Sequence, residues 1–197
     1  DYLTATLPSI NVRRNLLTYS EDFSNAAWDK LTCTVTQNTV LGPFGYAAST
    51  LVFSSGNAAG FKRIGFSCSN QVYCVSHFIK PGTATTLGMY ARDKNNNVIT
   101  SELSLSTKTV TLNSHDVTIT VVANDFLQIT SLHRSDTGTL NVYIGPSTSG
   151  TIHIAGVQYE IGTTPTPYQK ITDWTSEAFA SSGSVYFGTN VGMSAFH

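Results

Sequence analysis

The chain has 197 residues, of which 11 are basic and 12 acidic, giving a net charge of -1 with only 12% charged residues. That balance offers no electrostatic footprint for nucleic acid or an anionic membrane surface, and no run of about 18 apolar residues is present to cross a bilayer as a helix. A wealth of Ser and Thr among Val, Ile and aromatic residues favours strands and loops over helices, in a chain long enough to bury a full core.

Residues 1–14, ending Asn11-Val12-Arg13-Arg14, show no sustained periodicity and lack the basic-then-apolar order of a signal peptide. They read as an N-terminal arm or linker whose Arg pair is solvated. Next comes the distinctive stretch from Asn15 to Trp28. Ser20 or Ser24 is placed to cap a single helical turn, and Leu16, Leu17, Phe23 and Trp28 are expected to bury against a sheet.

From there strand follows strand. Residues 32–40 alternate around Cys33 and Val35, and the loop Leu41-Gly42-Pro43-Phe44-Gly45-Tyr46 carries two aromatics. Residues 48–54 and 61–67 are the next strands. Residues 71–80 are apolar on both parities, which predicts a central strand covered on each face and ended by Pro81-Gly82. After residues 87–92, Asp93-Lys94-Asn95-Asn96-Asn97 forms a polar hairpin loop. Clean alternation then marks half-buried antiparallel strands at Ile99 to Leu105, at Val110 and Leu112, and at Val117, Ile119 and Val121; residues 126–134 and 139–144 complete the set.

The closing strand is the most informative. Apolar positions Ile152 and Ile154 continue as Val157, Tyr159 and Ile161, so the phase slips by one residue at Gly156, where a bulge is tolerated. Gly162 and the Thr/Pro run then stop it. About ten short strands with turn punctuation and no long amphipathic helix predict an all-β, antiparallel two-sheet β-sandwich over residues 15–168, with short terminal arms.

Residues 169–197 differ in texture, with a short helix expected from Thr175 and a short strand at Val185-Tyr186-Phe187. Trp174, Phe179, Tyr186, Phe187 and Phe196 crowd a segment too short to fold alone, so it is read as a docking segment for the sandwich or a neighbouring subunit.

The opening Asn15-Leu16-Leu17 with Ser20-Glu21-Asp22-Phe23-Ser24-Asn25-Ala26-Ala27-Trp28, taken with the closing Gly156-Val157-Gln158-Tyr159-Glu160-Ile161-Gly162 and Thr166-Pro167-Tyr168, resembles carbohydrate-binding-module-like jelly-roll domains of bacteriophage tail and other virion proteins. The resemblance covers residues 15–168. It implies a jelly roll serving as a virion structural protein, in head decoration or in a tail or fibre, assembled in the host cytoplasm. Other virion proteins would be its partners and a homo-trimer its state, with attachment to host surface polysaccharide as a further role. Related jelly rolls often hold structural calcium where the opening segment meets the closing strand; Asn15, Glu21, Asp22 and Glu160 are the oxygen donors this would use here. The sequence departs from the family at Asn124-Asp125-Phe126-Leu127-Gln128, where relatives often carry a Gly-Trp-Tyr-Arg-like strand start, so no ligand site using that Trp is carried over.

A dedicated glycan-binding receptor-recognition module is the alternative. Sugars are held by aromatic faces beside amides and carboxylates, which singles out Phe44 and Tyr46 with Asn57, and Tyr90 and Arg92 with Asp93 and Asn95. A glycan-degrading or esterase activity is the weakest reading. The five histidines show no His-x-x-x-His or His-Glu-x-x-His spacing, there is no Gly-x-Ser-x-Gly elbow, and histidines within strands are read as satisfied structural residues. Cys33, Cys68 and Cys74 have neither zinc-knuckle nor redox-pair spacing and are read as buried free thiols.

Overall fold

The computed structural model describes residues 13–56, 60–68, 70–92, 98–114, 116–135 and 138–172, with backbone alone at 64–68, 91–92, 98–99, 135 and 138–142. Twelve strands follow one another: β1 (Trp28–Lys30), β2 (Cys33–Leu41), β3 (Ala47–Phe53), β4 (Phe61–Cys68), β5 (Gln71–Pro81), β6 (Thr86–Arg92), β7 (Val98–Ser104), β8 (Thr109–Leu112), β9 (Thr118–Val121), β10 (Leu127–Ser135), β11 (Gly138–Gly145) and β12 (Gly150–Ile161). They form two six-stranded sheets, ordered β1-β4-β11-β6-β7-β8 and β2-β3-β12-β5-β10-β9. Every pairing is antiparallel. The chain crosses between sheets after β1, β3, β4, β5, β8, β10 and β11, as the all-β jelly-roll sandwich expected from the sequence requires.

Alternation decides which side chains enter the core. Leu51, Phe53, Tyr73, Val75, Ile79, Leu127 and Ile129 of the second sheet face Phe61, Leu87, Met89, Leu103 and Ile144 of the first in one buried cluster. Leu17, Phe23 and Trp28 of the opening segment join it, with Trp28 stacked on Phe61 at 5.0 Å and Phe23 edge-on to both. Each large apolar side chain so buried contributes about 1.5–3 kcal/mol before its entropic cost. As its apolar parities predict, β5 is interior, between β12 and β10, and seven consecutive residues from Tyr73 to Ile79 are buried.

The slip at Gly156 is a bulge. On β5, Ile79 and Phe78 are consecutive, yet they pair with Ile154 and Gly156 of β12, leaving Ala155 as the extra residue. The core-facing parity therefore passes from Ile152 and Ile154 to Val157 and Tyr159, while Ile161, at the strand's end, is exposed. A side chain on Gly156 has no room, because an added Cβ would come within 2.5 Å of the Tyr168 ring. That ring closes a second, smaller apolar cluster of Ala48, Phe78, Phe126 and Ala155 on the outer face of the second sheet.

Covering this outer face requires satisfying the backbone that crosses it. Asn15 does most of this: its Nδ2 donates to the carbonyls of Val157 and Gln169, both at 3.0 Å, and its Oδ1 accepts from the Leu17 and Tyr159 amides, also at 3.0 Å. Gln158 accepts from the Gln169 amide at 2.7 Å and donates to Glu160 and to the Thr166 carbonyl. The buried Glu160 also accepts from the Thr166 amide and hydroxyl and lies 3.7 Å from Arg13. Gln169, one residue past the boundary expected at 168, donates to the Arg13 carbonyl, and Ile171 is buried.

Several local expectations are corrected. No helical turn forms at Ser20 or Ser24; the segment makes tight turns instead, with Asn25 N–H on the Asp22 carbonyl and Trp28 N–H on that of Asn25. Ser20 Oγ is drawn away from capping by the Ile171 amide, which it accepts at 2.9 Å. A 3₁₀ turn at Ala123–Asp125 precedes β10. His77 is buried and neither ring nitrogen has a partner among the described residues, so it is not the satisfied histidine the sequence suggested. Cys33 and Cys74 are buried free thiols, and burial pushes both up to about 11. The Cys68 side chain, His115 and the tail residues Trp174, Phe179, Tyr186, Phe187 and Phe196 lie outside the described residues and side chains.

Candidate functional site

Where the opening turn, the edge of the second sheet and the closing segment meet, they leave an open cleft of about 360 Å³. Its walls are Tyr19, Glu21 and Asp22 on one side, Gln37, Asn38, Tyr46, Ala47 and Ser49 on another, and Lys170, Ile171 and Thr172 on the third.

Each wall has a local cause. Tyr19 is pinned by its amide on the Thr172 carbonyl at 2.9 Å and by its own carbonyl, which accepts from the Trp28 indole at 2.9 Å. The result is a left-handed backbone at Tyr19, φ 53°, which bulky residues seldom adopt and which costs of order 1–3 kcal/mol. On the edge strand, β2 pairs Thr36 with Thr50 and Val40 with Ala48 of β3, so four steps on one strand match two on the other. The surplus bulges outward at Gln37 to Thr39, with Asn38 left-handed at φ 57°. This thrust carries Gln37 Nε2 to Asp22 at 2.6 Å and Ser24 at 2.8 Å. The β2–β3 loop delivers Tyr46, its turn closed by Gly42 N–H on the Tyr46 carbonyl at 2.8 Å and made possible by Gly45 at φ 85°.

Charges in the cleft are arranged asymmetrically. Lys170 Nζ lies 2.7 Å from Glu21 and 5.3 Å above the Tyr46 ring, while the Tyr46 hydroxyl donates to the other Glu21 oxygen. Burial, reinforced by the bond to Glu21, pushes the Tyr46 phenol far above its ordinary range, so it remains a neutral donor. Asp22 receives Ser24 at 2.7 Å and Gln37 on a single oxygen, Oδ1. The cleft thus sets the Tyr46 ring, with Lys170 over it and Phe44 at 5.6 Å, beside carboxylates and the Asn38 amide, a mixture suited to bonding the substituents of a ligand rich in hydroxyl groups.

The residues expected from the sequence are distributed unevenly. Tyr46 lines the cleft together with Glu21 and Asp22, which had been paired with Asn15 and Glu160 as calcium donors. The four donors do not form one cluster. Asn15 and Glu160 are consumed by the network on β12, Glu21 by Lys170 and Tyr46, and among the described residues no group of three or more His, Cys, Asp or Glu could hold a metal ion. The donor set therefore does not fit calcium.

Phe44 is no open platform, since it stacks on Tyr168 at 4.4 Å and meets Phe78 edge-on at 4.7 Å. Tyr90 sits on the outer face of the other sheet, directly across from Tyr143 of β11 and Thr100 of β7. Tyr143 in turn faces Lys62, whose ammonium lies 5.7 Å from its ring. Asn57, Asp93, Asn95 and the side chain of Arg92 lie outside the described residues and side chains. Sequence reasoning missed Tyr19, Gln37, Asn38, Lys170 and Tyr143; only the polar interruption Gln37-Asn38 within an alternating strand signalled a bulge.

One serine–histidine contact occurs among the described residues. Ser131 Oγ lies 2.9 Å from His133 Nε2, and both residues are buried.

No family model matches the sequence, and no curated protein matches it. Among solved structures, the enzymatically active domain of tailspike protein 4 of bacteriophage CBA120 is similar at 16% identity and a TM-score of 0.47, over 76% of this chain and 21% of that one. The CBM22-1 xylan-binding domain of Paenibacillus barcinonensis Xyn10C is similar at 12% identity and a TM-score of 0.46, over 78% of this chain and 95% of that one. The CBM22-1 and GH10 modules of Clostridium thermocellum xylanase 10B, complexed with xylohexaose, follow at 14% identity and a TM-score of 0.46, over 81% of this chain and 30% of that one. The chain thus spans less than a third of the tailspike and xylanase chains.

Proposed function

We propose that this chain is a non-catalytic glycan-binding module of a bacteriophage virion, in a head decoration or a tail or fibre, and that the cleft around Tyr46 is its sugar site. The observation that carries the sugar reading is the convergence of Tyr19 and Tyr46 with Asp22, Gln37, Asn38 and Lys170 in one open cleft. Strained backbone at Tyr19 and Asn38 accompanies it, as at many binding sites. The virion role and a homo-trimeric state are what the resemblance of the paired opening and closing motifs implies, and docking through the terminal segments is supported by the apolar residues of the tail.

The test is a glycan array and titration calorimetry with the purified chain. Tyr46→Ala removes the ring beneath Lys170 and the hydroxyl that fixes Glu21, so it should weaken binding up to about tenfold. Silence across host surface polysaccharides would refute sugar binding. The Tyr90–Tyr143 pair supports a second reading, with the site on the outer face of the first sheet. Loss of binding in Tyr90→Ala but not in Tyr46→Ala would favour it.

A further inference from the structure

We infer, resting on the sugar reading above, that the cleft selects its ligand by charge: it takes a sugar bearing a protonated amine in preference to the N-acetylated counterpart and turns away acidic sugars. The formal charges lining it are Glu21, Asp22 and Lys170, an excess of one negative charge. The single cation is already committed. Lys170 is paired with Glu21 at 2.7 Å and lies over the face of Tyr46 with its side chain about half exposed, so a ligand carboxylate, sulfate or phosphate that reaches it also meets the neighbouring charges of Glu21 and Asp22.

Glu21 is equally committed, with Lys170 on one oxygen and the Tyr46 hydroxyl on the other. The Tyr46 proton therefore points at Glu21 and is not offered to an incoming anion. Asp22 is different. Its two protein donors, Ser24 and Gln37, share Oδ1, leaving Oδ2 without a hydrogen bond among the described residues. That oxygen is the one unspent ionic acceptor in the cleft. An ammonium placed there adds the attraction of opposite charges to the hydrogen bond that a hydroxyl or an acetamide N–H would also make with this carboxylate.

The experiment uses three probes on the full chain by calorimetry at pH 6: a glucosamine trimer, its fully N-acetylated form, and a galacturonic acid trimer. The glucosamine trimer should bind about tenfold tighter than the acetylated one, and the galacturonate trimer should not bind measurably. The amine's advantage should shrink as salt is raised from low to physiological strength, because the partners sit in an open cleft. Asp22→Asn keeps an oxygen for Ser24 and Gln37 while removing the charge, and should bring the ratio between the first two probes close to one; an unchanged melting temperature confirms that the variant is folded. A galacturonate trimer that binds as tightly as the glucosamine trimer overturns the inference, as does an amine preference that survives Asp22→Asn. Tyr46-dependent binding of neutral glycans without any binding of the glucosamine trimer overturns charge selection while the sugar reading stands. Failure of every glycan on the array removes both.

Discussion

His77 is the least comfortable residue in the core, and its discomfort is measurable. It lies on β5 with Ile129 and Val157 as its cross-strand neighbours, 1% exposed, with both ring nitrogens unpartnered among the described residues. Burial holds its pKa down at about 3 against an ordinary 6.5. The unfolded chain takes up this proton as pH falls through 6.5, whereas the folded chain refuses it until about 3. Stability is therefore whole above 6.5 and lost at about 1.4 kcal/mol per pH unit below it. At pH 4.5, two units down, the loss is about 2.7 kcal/mol, which for a chain of this size lowers Tm by roughly 5–10 °C. Urea unfolding at pH 7.5, 6.0 and 4.5 should show this slope in the wild type on top of whatever the carboxylates contribute. His77→Leu keeps those carboxylates and deletes the imidazole, so the difference between the two proteins isolates it. We expect the variant to be about 1–2 kcal/mol more stable at pH 7.5, by relief of two unpaired buried nitrogens, and its advantage to widen by about 2–3 kcal/mol at pH 4.5. Parallel stability curves for the two proteins from pH 7.5 to 4.5 would refute the argument.

Gly156→Ala should cost about 1–3 kcal/mol in urea unfolding by driving Tyr168 off Phe44, and Gly156→Ala combined with Tyr168→Ala should cost less than the sum of the two singly. Millimolar calcium, or a chelator, should move Tm by less than about 1 °C, since no set of acidic donors converges; a rise of several degrees would mean that ligand binding to the native state had been missed. Truncation after Thr172, which spares the Gln169 and Ile171 contacts, should turn a trimer of the full chain into a soluble monomer by mass measurement in solution; a full-length chain that is already monomeric at high concentration would defeat the trimer.

The fold was legible where physics writes a one-dimensional pattern. Apolar residues on both parities announced β5 as interior, and a parity change at a glycine announced the bulge in β12. β1 was not legible because three residues are too few for alternation to emerge; its pairing with β4 is imposed by Trp28 stacking on Phe61. The cleft was largely hidden because it draws on four separated segments whose meeting depends on the network around Asn15, and no local pattern encodes that meeting. Lys170 looked like the start of a tail. Asn15 looked like an ion ligand because an amide that bridges backbone groups and one that ligates a cation are the same residue on paper.

The segments at Tyr19–Ser20 and at Ile171–Thr172 are bonded directly to each other, amide to carbonyl, at 2.9 and 3.0 Å. Both ends of the sandwich thus leave from one spot, and the cleft opens beside it. This gives the molecule a mechanical character. A pull between the two segments loads the bonds of Arg13 and Asn15 to Gln169 together with this clasp, a small set of contacts beside the long ladders of the sheets. A load placed in the cleft enters the same region through Glu21 and Lys170, and the edge of the second sheet at Gln37, Asn38 and Ser49 shares it.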